Sequence, residues 1–142
     1  MQTYATIDDF LSAFGTDETV RLTASFDAPT EIDVQVLQGA LDRATIRVDA
    51  SVSARYQAGI KVVPRLLMVL TCDLARYDLS TTAGRVLTED ADARNKAADK
   101  MLMMVADGRV KLGLDTEDKP VEWKGVQRTT RDTTLRDALE DY

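Results

Sequence analysis

The sequence contains no histidine and a single cysteine, Cys72. The first absence removes the commonest general base and the commonest metal ligand. The second excludes an intrachain disulfide and a thiolate metal cage. Aromatic residues are sparse too, with three Phe, four Tyr and one Trp among 142 residues. A core built from such material is aliphatic and rich in Met and Ala, which suits packed helices. No apolar stretch approaches the roughly 20 residues that cross a bilayer. The opening "MQTYATIDDF" lacks the basic start and apolar centre of a signal peptide. Neither a GxxxxGK-type phosphate loop nor a GxGxxG turn occurs. Positive charge is in deficit, at a formal net charge of −6. Such a chain does not track a phosphate backbone or an anionic membrane by bulk attraction.

What remains is the material of one all-α domain, a small bundle of four to five helices with one long member. Thr6 can cap a helix carrying Ile7, Phe10, Leu11 and Phe14 on one face, with Asp8 and Asp9 in its first turn and Gly15 as its stop. Thr16 or Asp17 caps a second, short helix with Val20 and Leu22. After the loop "SFDAPTEID", Thr30 or Asp33 caps the long helix. Its apolar stripe is Val34, Leu37, Leu41, Ala44, Val48 and Val52. Pro64 opens "PRLLMVLTCDLARYDL", which is apolar around most of its circumference and so predicted to be central. Thr88 caps the last main helix, with Ala93, Ala97, Met101, Met104 and Val105 on one face and Gly108 at its end. Residues 1–114 form the domain in this reading. Residues 115–142 are charged and polar, an extended C-terminal arm.

Several residues admit both a functional and a structural reading. Cys72, inside an apolar run, is either a buried small hydrophobe or a nucleophile. The tripeptide Ala-Arg-Tyr occurs twice, at 54–56 and 75–77, with unlike flanks, so it is not a repeat. It marks two helix ends, or else Arg55, Tyr56 and Arg76 reach a neighbouring subunit. The acidic N-terminal third (Asp8, Asp9, Asp17, Glu18, Asp27, Glu31 and Asp33 against Arg21) is helix-capping chemistry and a solvated face, or it lines a lumen. Glu89, Asp90 and Asp92 could pair as catalytic carboxylates but equally suit a helix start. "DTEDK" resembles part of a calcium loop but lacks the central glycine. No catalytic residue, cofactor or metal site is expected, and no enzyme. A helix–turn–helix reader is disfavoured because the candidate helices are acidic or apolar.

One ordered set of segments carries more. "YATIDDFLSAFG", "RLT", "EID" opening a helix, "ALDRATIRVDASVSARY", "PRLLMVLTCDLARYDL" and "ADGRVKLGL" run in sequence over residues 4 to 114. In order and spacing they resemble the phage Mu-type head-completion proteins, similar in architecture to the head–tail connector (adaptor) proteins of long-tailed phages. Members often carry a proline soon after the first "RY"; here it is delayed to Pro64. The resemblance implies a structural virion protein of the neck, present in the host cytoplasm during assembly. It would form a homo-oligomeric ring, a dodecamer, between the portal protein and a tail-side stopper or tail terminator. DNA would pass through the lumen without specific binding, and no membrane is involved. By position, the arm would dock on the portal through Val121, Trp123, Val126, Arg128, Arg131, Leu135, Arg136 and Leu139. Trp123 either anchors such a contact or folds back on the domain. An assembly factor, or a small helical regulatory or DNA-binding module, not retained in the virion, is the alternative.

Overall fold

A computed structural model describes residues 2–56, 60–82 and 85–113. Among these residues it contains five helices and no strand: α1 (Ile7–Phe14), α2 (Thr16–Thr23), α3 (Val34–Ser53), α4 (Arg65–Thr81) and α5 (Glu89–Ala106). The arm read at 115–142, with every portal-contact candidate from Val121 to Leu139, lies outside the described residues.

Local chemistry sets the helix starts. Thr6 and Asp9 form a reciprocal capping box: Asp9 N–H donates to Thr6 Oγ1 at 3.2 Å, and Thr6 N–H donates to Asp9 Oδ2 at 2.8 Å. Asp33, not Thr30, caps α3, accepting from the N–H groups of Gln35 and Val36. Thr88 caps α5 through the Ala91 N–H. Gly15 serves both as the end of α1 and as the start of α2, displacing the Thr16 or Asp17 cap. Its φ of +83° is open to glycine and strained for other residues, so the corner between the two helices depends on it.

α3, α4 and α5 pack on one another, and α1 and α2 lie across α3 and α4. The predicted α3 stripe is the buried face: Leu37, Leu41, Ala44, Val48 and Val52 are all in the core. Val34, at the open first turn, stays exposed. α4 is central, burying Leu67, Leu70, Cys72, Leu74, Ala75 and Leu79 while touching every other helix. Burying side chains of this kind contributes on the order of 1.5–3 kcal/mol each.

Two faces differ from the sequence reading. In α2 the buried positions are Thr19, Leu22 and Thr23, with Val20 only half-buried. Both threonines fit because their hydroxyls donate back along the helix, to Gly15 O at 2.7 Å and Thr19 O at 2.8 Å. Thr23 Oγ1 also accepts from the Asp33 N–H, tying the connecting loop to α2. In α5 the core face is Ala91, Asn95, Ala98, Leu102 and Val105. Ala93 and Ala97 are exposed, and Met101 and Met104 are half-buried at its border. Small alanines on both sides left the periodicity degenerate, and Leu102 decides which side faces inward.

Candidate functional site

The densest polar constellation in the described chain centres on Arg76. Its Nε donates to Glu18 Oε1 at 2.7 Å and its Nη1 to Asp90 Oδ2 at 2.6 Å. Its Cζ stands 4.7 Å from the centre of the Phe14 ring. One guanidinium on α4 therefore holds α1, α2 and α5. Arg94 extends the chain of charges, lying 3.4 Å from Asp90 and 3.7 Å from Asp73. The planar fork of arginine suits this task, since it presents several donors in fixed directions and stacks on an aromatic face.

The surrounding electrostatics follow from burial and partners. The hydrogen bond from Arg76 holds the Asp90 carboxyl below the usual carboxylate range. Asp73 is pushed above that range, chiefly by burial, against the lowering pull of Arg94 and Arg76. The two carboxylates thus act on stability with opposite sign. Ionised Asp90 stabilises the fold above its unfolded pKa, and this is lost as pH falls through its folded value. Asp73 binds a proton more readily in the folded chain, so its effect becomes less favourable as pH rises through its folded value. Asp73→Asn is therefore expected to melt higher than the unsubstituted chain at pH 7. The gap should close below about pH 4, where the unfolded carboxyl is also protonated. Asp90→Asn should melt lower at pH 7. Thermal unfolding across this pH range checks both signs, and a lower-melting Asp73→Asn at pH 7 would refute the assignment.

The remaining candidates fall elsewhere. Cys72 is buried, and burial pushes its thiol up to about 12, so little thiolate forms at neutral pH. Glu89, Asp90 and Asp92 do not converge: Asp90 turns to Arg76 and Asp92 pairs with Lys96 at 2.9 Å. The two Ala-Arg-Tyr copies occupy different settings. The first forms the turn just past α3, where the Arg55 and Tyr56 N–H groups both donate to Val52 O. The second lies more than a turn before the end of α4. The expected pair of helix ends therefore holds only for the first copy.

Arg76, a candidate to reach a neighbouring subunit, is 8% exposed and turns inward to its own chain's carboxylates. Tyr56 is also buried, and its hydroxyl accepts from the Leu112 N–H at 3.4 Å. The half-buried Arg55 lies against Gly108, so closely that a Cβ there would stand 2.7 Å from Arg55 Cζ. The cation thereby sits at the C-terminal end of α5, where the helix dipole favours it. The repeated tripeptide thus fastens helices in two separate places.

Sequence reasoning missed two groups. Arg85 donates from its two terminal nitrogens to Arg21 O at 2.9 Å and Ala24 O at 3.1 Å, closing the end of α2. Tyr4 donates to Asp49 Oδ1 at 2.7 Å and fixes the N-terminal segment to α3. Asn95 Oδ1 is buried without a protein partner. Among the described residues, no group of three or more Cys, Asp or Glu side chains comes together as a metal site. No described helix is long and apolar enough to cross a membrane.

These observations define a small helical bundle in which Arg76 and Arg85 bridge elements of its own fold. Its sequence matches the family described as Bacteriophage Mu, Gp36, over residues 4–130, and the chain belongs to that family. The chain is also 32% identical over 91 residues to the Mu-like prophage FluMu protein gp36 of Haemophilus influenzae. That alignment covers 64% of this chain and 62% of the relative. The protein is thus a phage protein of Mu type.

Proposed function

We propose that this chain is a structural virion protein, a head–tail connector subunit with no chemistry of its own. In this reading copies form a ring between the portal and the tail-side neck protein, extending the DNA channel. The observation that carries it is family membership over residues 4–130, on a helical domain whose charged network is directed to its own helices. The matched span runs past the described domain into the polar segment, which supports a role for that segment beyond the core. Residues 115–142 are the portal-facing arm, with Trp123 its anchor. An acidic body also suits a conduit, because like charge keeps passing DNA from sticking.

The test is quantitative mass spectrometry of purified particles against the portal protein. A copy ratio near one to one is expected. Absence from particles that contain portal would remove the connector role and leave an assembly factor. A chain ending at residue 114 is expected to keep its melting temperature and bind isolated portal more weakly than the full chain.

A further inference from the structure

The connection between α2 and α3 carries an exposed apolar surface framed by carboxylates. Ser25 Oγ accepts from the Ala28 N–H at 3.2 Å, and this turn holds Phe26 with its side chain fully exposed. Beside the turn a cleft of about 270 Å³ opens against the start of α3. Ala28, Ile32 and Val34 form its apolar side, and Glu31, Asp33 and Gln35 its polar side. Asp33 is engaged in capping α3. Asp27 and Glu31 are exposed and make no ion pair among the described residues. From Leu22 to Asp42 the chain has no Lys or Arg. Arg85 reaches the Ala24 carbonyl from another element, but both its terminal nitrogens are taken up by main-chain oxygens.

The other strongly exposed apolar side chains have cations close by in the chain. Ile46 lies between Arg43 and Arg47, Val62 next to Lys61, Val86 next to Arg85, and Met103 one turn after Lys100. An apolar ligand carrying positive charge is therefore disfavoured at these positions and drawn to the Phe26 surface. The same chain contains such a ligand. Residues 119–131, "KPVEWKGVQRTTR", hold Lys119, Lys124, Arg128 and Arg131 against the single carboxylate of Glu122, together with Val121, Trp123 and Val126. The flanking residues 114–118 and 132–142 are net acidic, so positive charge is concentrated in this stretch. The family match ends at residue 130, and so takes in this stretch and none of the acidic end.

We infer that residues 119–131 dock on the Phe26 surface of their own chain, with Trp123 and its neighbouring valines against Phe26 and Val34 and the cations beside Asp27 and Glu31. The tether is long enough. Leu112 bonds Tyr56 just past the end of α3, and the surface sits at the start of that 20-residue helix, about 30 Å away. Residues 114–125, extended, span about 40 Å. Such a tether supplies a millimolar effective concentration, which favours the chain's own segment over a second copy. Exposed ion pairs contribute little singly, so docked and free arms are about equally populated. Removing the arm then leaves the melting temperature nearly unaltered. The contact does not depend on the connector reading; within it, the portal would compete with the Phe26 surface for the same stretch.

The test is the fluorescence of Trp123 in the full-length chain. It is the only tryptophan, so its emission reports the arm alone. Acrylamide should quench it about half as fast as in a free peptide of residues 115–142, as equal populations require. Emission should also move to shorter wavelength. Phe26→Ala and Glu31→Lys should each restore peptide-like quenching, as should high salt. Both positions are exposed, so the variants should melt with the unsubstituted chain. Peptide-like quenching in the unsubstituted chain, or shielding that survives both substitutions, would overturn the contact. Shielding that appears only at high protein concentration would overturn it too, because the occupant would then be another copy's arm. Shielding lost in both variants, in a chain absent from particles, would keep the contact and remove the connector role.

Discussion

Arg76→Met is expected to lower the melting temperature by roughly 6–10 °C, equivalent to about 2 kcal/mol in a domain of this size. Removing one partner of a buried ion pair costs about 3–5 kcal/mol, because the other charge is left without compensation. Here the cost falls below that range, since the partners are open to water unequally. The Glu18 side chain is 26% exposed, whereas Asp90 is 59% exposed and rehydrates readily. The stack on Phe14 is lost as well. Arg76→Lys keeps the charge but not the fork that reaches two carboxylates, so it should recover only part of the loss. Full recovery by lysine would mean that charge alone matters and that the bridging geometry does not. Circular dichroism melts of the three chains decide this.

Phe10→Ala is expected to cost about 3–5 kcal/mol in urea unfolding, the largest single effect predicted for the chain. Phe10 is fully buried and meets Phe14 edge to face, with ring centres 4.8 Å apart. Removing the ring leaves a cavity under a helix of only two turns, which has little other burial to hold it. Phe14 also touches Arg76, so the two substitutions share a neighbour. The double variant should therefore lose less than the sum of the singles, by about 0.5–1 kcal/mol. Strict additivity would show that α1 and the Arg76 network are independent.

The sequence announced features whose partners lie close along the chain. The Thr6 and Thr88 caps and the α3 stripe each involve residues three or four apart, and local spacing captures them, whereas the α3 cap stayed open between Thr30 and Asp33. The α5 face failed because alanine packs on either side and Asn95 occupies a position that a hydropathy pattern assigns to an apolar residue. Arg76 was read as a cation at a helix end or as one reaching a neighbouring subunit. Its partners, Glu18 and Asp90, sit in other helices, and local spacing does not pair residues at such distance. Arg85 was illegible for the same reason, because its acceptors are main-chain carbonyls, which every residue possesses. The exposed Phe26 was passed over as loop, since composition does not report which apolar side chains the fold leaves outside.

The fastening of the first two helices also bears on synthesis. Gln2 exchanges hydrogen bonds with Ile60, 58 residues later. Glu18 waits for Arg76, also 58 residues on, and the Arg21 and Ala24 carbonyls wait for Arg85, 64 and 61 residues on. A ribosome releases the N-terminal helices long before it has made any of these partners. The nascent chain therefore holds α1 and α2 only by their contacts with α3 and its leading loop until α4 and Arg85 have emerged. Contacts of such sequence separation form late. The first part of the chain to be translated thus completes its polar fastening only once later helices exist.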